Sequence, residues 1–75
     1  MTIDEFMRDI APKMRTGWVV MSKQNLWWYF PDEPFLNTAS LCWNKTGAKF
    51  PSILSGFDIA PVDDWTQSLR RVGTC

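Results

Sequence analysis

The sequence predicts a small α+β domain: a three-stranded antiparallel sheet with an N-terminal and a C-terminal helix packed on one face. Three observations carry this reading. Apolar residues recur at helical spacing near both ends, two β-branched and aromatic runs flank a short polar loop in the manner of a hairpin, and Pro and Gly punctuate the remainder. At 75 residues the chain reads as one domain, 1–75. A chain of this length buries only about 60% of its unfolded surface. Five Trp and five Phe partly offset that deficit, because each ring carries a large apolar area.

The first helix begins at a capping box, Thr2-x-x-Glu5, in which side chain and backbone cap each other reciprocally. Ile3, Phe6, Met7 and Ile10 then fall at i, i+3, i+4 and i+7 and form one apolar stripe. Pro12 has no N–H to donate and disfavours helix at Ala11, so the helix stops near Ile10. The stripe is short and faces Asp4, Glu5 and Asp9 against a single Arg8, which suits covering a sheet and not lying on a membrane.

Gly17 opens the hairpin. Trp18–Ser22 and Leu26–Phe30 have strand compositions, and Lys23-Gln24-Asn25 fits a three-residue loop with Asn25 in the left-handed position. That loop sets a register in which Trp18 faces Phe30, Val19 faces Tyr29, Val20 faces Trp28 and Met21 faces Trp27. Pro31-Asp32-Glu33-Pro34 leaves the sheet as a turn or extended loop, Ser40–Trp43 is a third short strand, and Asn44–Gly47 is a turn. Pro51 to Gly56 reads as one helical turn with Phe57–Ile59 extended after it. The closing helix takes Asp63 as N-cap, Trp65, Leu69 and Val72 as its apolar stripe, Arg70 and Arg71 in the last turn and Gly73 as C-cap.

Alternation along the hairpin makes both of its faces apolar. One carries Trp18, Val20, Leu26, Trp28 and Phe30; the other carries Val19, Met21, Trp27 and Tyr29. Two helices of about ten residues cover one face of a small sheet and not both. The expectation is that Trp28 and Phe30 lie beneath the helices with Trp18 and Val20. Val19, Met21, Trp27 and Tyr29 then form an exposed partner-binding patch, since Trp, Tyr and Met are enriched at protein contacts.

The residues also exclude chemistry. With no His in the chain, Ser-His-Asp and Cys-His nucleophiles cannot be built, and two cysteines supply at most half of a zinc site. No Gly-rich phosphate loop is present, and Asp63-Asp64 is accounted for by a cap followed by a first-turn acid. The expectation is therefore a protein that is not an enzyme, with no catalytic residues, metal, cofactor or small-molecule substrate. Cys42 reads as a small buried hydrophobe and Cys75 as an exposed thiol, both reduced in a cytoplasmic setting. Zero formal charge gives no general attraction to polyanions or anionic membranes. The string Asp-Ile-Ala-Pro occurs at 9–12 and 58–61, too short a unit to define a repeat fold.

The ending Phe57-Asp58-Ile59-Ala60-Pro61-Val62-Asp63-Asp64-Trp65, continuing through Leu69 to Gly73, resembles that of small uncharacterised phage and prophage proteins of gut bacteria. Ala11-Pro12, Gly17-Trp18 and Trp27-Trp28-Tyr29 are similar as well. The resemblance implies a bacterial host cytoplasm and partners among host or phage proteins, including host-defence factors. The sequence reading is thus a protein-interaction module, self-associating as a homodimer or bound to such a protein. The alternative is a nucleic-acid accessory protein with Lys23, Lys45, Lys49, Arg70 and Arg71 on phosphates.

Overall fold

A computed structural model of the chain describes residues 1–73. It is an α+β fold with helix α1 (Ile3–Asp9), strands β1 (Gly17–Met21) and β2 (Trp27–Phe30), a hairpin of β3 (Phe35–Asn37) and β4 (Cys42–Asn44), and strands β5 (Ser52–Ile53) and β6 (Arg70–Val72). The larger sheet is four-stranded in the order β5-β2-β1-β6, and β3-β4 forms a separate two-stranded sheet; every pairing is antiparallel.

The local signals at the N-terminal end are realised. Glu5 N–H donates to Thr2 Oγ1 at 3.2 Å and Thr2 N–H donates to Glu5 Oε1 at 3.0 Å, closing the capping box. The β1–β2 register is the one the loop length dictates: Trp18 opposite Phe30, Val19 opposite Tyr29, Val20 opposite Trp28, Met21 opposite Trp27. Asn25 takes φ +64°, a left-handed conformation that Asn tolerates at low cost.

The expected three-stranded sheet with two helices on one face is not what forms. The C-terminal segment is no helix. Asp64 Oδ1 accepts Thr66 N–H at 3.0 Å and caps a single 3-10 turn, Trp65–Gln67, after which the chain enters the sheet as β6 beside β1. Tertiary pairing overrides local helical spacing here. A helix of this length is marginal in water, whereas pairing satisfies the open edge of a strand already buried by α1. Ser68 shows how tightly this is fixed. The β1–β6 register places it opposite Met21, and its fully buried hydroxyl takes over the ladder there. Ser68 Oγ accepts Met21 N–H at 2.8 Å and lies 3.2 Å from the Met21 carbonyl and 2.6 Å from that of Trp65. Trp65 and Leu69, expected on the apolar stripe of that helix, are half-buried.

Two further expectations are corrected. Pro51–Gly56 is not a helical turn: Ser52 and Ile53 pair with Tyr29 and Trp28 as β5. The strand expected at Ser40–Trp43 does not join the main sheet; it pairs as β4 with Phe35–Asn37 across a turn in which Asn37 Oδ1 accepts the N–H groups of Ala39 and Ser40 at 3.0 and 3.1 Å. Cys75 lies outside the described residues.

The core forms between α1 and one face of the sheet. Phe6, Val19, Met21 and Val72 are its centre, with Ile3, Ala11, Trp27 and Ile59 around them. Phe57 meets Phe6 edge to face, ring centroids 5.4 Å apart. No helix among the described residues is long and apolar enough to cross a membrane.

Candidate functional site

The face that α1 covers is the one expected to be open. Val19, Met21 and Trp27 are 0%, 1% and 5% exposed, and half-buried Tyr29 packs against the same cluster with its hydroxyl donating to the Thr16 carbonyl at 3.0 Å. Val19, Met21 and Trp27 of the expected patch are therefore core, and Tyr29 lies at the edge of that core. Alternation fixes which residues share a face and leaves open which face is inside. The choice falls to packing. The α1 side of β1 offers Val19 and Met21, compact or pliant side chains against which Phe6 seats fully.

The opposite face is covered by the β3–β4 hairpin, and incompletely. Val20 and Phe30 are buried on it, while Trp28 and Trp43 are half-buried. Between sheet and hairpin lies a cleft of about 270 Å³. Its walls are Val20, Trp28 and Phe30 from the sheet, Cys42 and Trp43 from β4, and Pro51; Ser22 and Gln24 add its polar groups. Trp43 Nε1–H donates to the Trp65 carbonyl at 3.2 Å, which ties the hairpin to the 3-10 turn and holds the indole as a wall. The Cys42 thiol donates to Asn44 Oδ1 at 3.0 Å and sits 3.0 Å from Ser40 Oγ, leaving that hydroxyl to donate to sulfur. The lining contains no carboxylate, ammonium or guanidinium. It suits apolar matter and offers no acid–base pair.

Displaced titrations lie elsewhere, on α1. The Thr2 N–H, with the Thr2 hydroxyl second, holds the Glu5 carboxyl below its usual range; the Arg8 guanidinium, bonded to Asp9 at 2.9 Å, lowers Asp9, and the Asp9 carboxylate in turn raises Arg8. These are surface helix interactions, not a site.

The five cations expected as phosphate contacts do not converge as a set. Lys23 is exposed at the hairpin tip. The Arg70 guanidinium donates to the carbonyls of Gln67 and Leu69 at 3.0 Å each, and Arg71 lies 5.8 Å from the centroid of the Trp18 ring. Lys45 and Lys49 do come together, around Phe50: Lys45 Nζ is 4.8 Å from that ring and Lys49 lines a notch with it. Arg15 lines the same notch and was missed in the sequence, because it lies far along the chain from those lysines and in no charge run. Trp43, by contrast, was legible as an aromatic on a strand, though not as the wall of a cleft.

Compared with known protein families, curated proteins and solved structures, the chain finds no match in any of the three.

Proposed function

We propose that this chain is a non-enzymatic protein-contact domain that takes one or two apolar side chains of a partner protein into the cleft between the sheet and the β3–β4 hairpin. The observation that carries the reading is the lining: three large rings, Trp28, Phe30 and Trp43, converge on one concave site with no charged group among them. Aromatic-rich pockets of this kind are where binding energy concentrates in protein contacts. Size argues for side chains over a small-molecule ligand. A cavity of about 150 Å³ holds one benzene ring and small-molecule pockets start near 300 Å³, so 270 Å³ falls between the two. The hairpin that walls the cleft also exposes Phe35 and Leu41, which extends the apolar surface beyond the opening. The resemblance noted in the sequence points to a host or phage protein as the partner, a host-defence factor included. A second copy of the chain is the other occupant to test.

Selection from a displayed peptide library on the intact chain tests this. Peptides with an apolar anchor residue are expected to be enriched, and Cys42→Phe, which fills the cleft, is expected to weaken them by about tenfold or more. Peptides held equally by wild type and Cys42→Phe contradict the cleft as the contact site. Sedimentation velocity reads the second-copy arm directly: a dimer that Cys42→Phe dissociates assigns the cleft to self-association.

A further inference from the structure

We infer that a second site, sharing no lining residue with the aromatic cleft, binds single-stranded nucleic acid, with Arg15 and Lys49 on phosphate and Phe50 beneath a base. The notch has a volume of about 370 Å³ and brings together Arg15, Thr16, Tyr29, Lys49, Phe50 and Ser52. No carboxylate lines it. The single ion pair among the described residues is Arg8–Asp9, so in a chain with as many acids as bases these two cations converge without one. A concavity lined by two cations and no carboxylate suits an anion.

The backbone that presents Arg15 is held on two sides. Tyr29 Oη donates to the carbonyls of Thr16 at 3.0 Å and Arg15 at 3.4 Å, and Thr16 Oγ1 donates to the Gly73 carbonyl at 3.0 Å. Gly73 takes φ +69°, and a Cβ there would lie 2.5 Å from the Arg15 carbonyl carbon. Only glycine fits such an approach. The backbone that carries Arg15 is thus fixed in place.

Phe50 supplies what a simple anion does not use. Its ring is 78% exposed, the most open of the large apolar side chains, and the Lys45 ammonium lies 4.8 Å from its centroid. An exposed ring interleaved with cations is the arrangement by which proteins hold single strands without reading sequence: phosphates on the cations, bases stacked on the ring. Pockets for free small molecules bury some 70–90% of the ligand, and a notch floored by so open a ring cannot. A strand instead gathers affinity from several such contacts.

The test is fluorescence anisotropy on the full chain with a dye-labelled oligothymidylate of about ten nucleotides, within the site sizes of such proteins. Binding is expected at low salt, with a log–log salt slope near −1.4 for two phosphates. Lys49→Gln and Arg15→Gln are each expected to bring the slope to about −0.7, one phosphate fewer. Phe50→Ala is expected to weaken binding about fivefold or more with the slope unchanged, since stacking is not screened by salt. Lys49 and Phe50 are exposed loop residues, so circular dichroism of those variants should match wild type and they carry the test even if Arg15→Gln misfolds. Absence of oligonucleotide binding at low salt overturns the proposal. So does equal binding of a labelled polyglutamate that is indifferent to Phe50→Ala, which assigns the notch to acidic peptides. Thymidine monophosphate competing as well as the strand overturns it in favour of a free-nucleotide site.

Discussion

Val19 and Val20 are consecutive residues of β1, both fully buried, and they face different kinds of interior. Val19 looks toward α1 into a layer filled by Phe6, Met21 and Val72. Val20 looks toward the β3–β4 hairpin across a cleft of about 270 Å³ walled by half-buried tryptophans. A helix presents a ridge of side chains that enters the surface of a sheet. A two-stranded hairpin of three-residue strands presents few inward side chains and stands off on the bulk of Trp28 and Trp43. The lesson is that two equally apolar faces need not be equally filled. The face under α1 is closely filled, and the face under the hairpin keeps an open cleft.

The two faces differ most at Phe6. Phe6→Ala removes a fully buried ring from the filled face and is expected to cost about 3–5 kcal/mol. Small domains hold roughly 5 kcal/mol in total, so the variant should be largely unfolded in water. Trp43→Ala, on the other side, removes a half-buried ring and the hydrogen bond to Trp65, and should lower the urea midpoint by much less. Equal loss in the two would mean that the hairpin face is packed as well as the α1 face.

Ser68 comes next in size. Ser68→Ala leaves the Met21 N–H without its partner inside the core and is expected to cost about 1–3 kcal/mol, read as a lower urea midpoint at unchanged m. A midpoint within error of wild type would mean that β6 is peripheral to the filled face.

What the sequence shows and hides follows the same division. The capping box at Thr2 and Glu5, the Asn25 turn and the whole β1–β2 register are legible, because each is set by residues a few positions apart. The identity of the inner face is not, since Val19/Met21 and Val20/Trp28 are both apolar pairs and the decision rests on which element arrives over them. The ending misleads for a related reason. Trp65, Leu69 and Val72 do fit a helical stripe, but the open edge of β1 captures the segment after one 3-10 turn, and that edge is visible only once the sheet exists. Phe35–Asn37 has too short a strand pattern to stand out, and Arg15 joins Lys49 only through the fold.

The smallest expected effect is a pH dependence of the α1 side. Glu5 has its folded pKa lowered, chiefly by the Thr2 N–H, and Asp9 has its own lowered by Arg8. A lowered folded pKa contributes stability that is present above the unfolded value and is lost as pH falls through the folded one. Urea midpoints taken from neutral pH down through the carboxylate range should therefore decline on the acid side, and Glu5→Gln should flatten part of that decline. A parallel decline in Glu5→Gln would show that the capping box has no share in it.

The most direct test of the two-face account is a pair of charge substitutions at adjacent residues of β2. Trp27→Glu places an unpaired carboxylate in the filled face, where the ring is 5% exposed, and should leave the chain unfolded. Trp28→Glu places it beside the cleft, where water can reach it, and should give a folded domain with a clear thermal transition and no cleft binding. If Trp28→Glu is the variant that unfolds while Trp27→Glu melts like wild type, the core lies under the hairpin and not under α1.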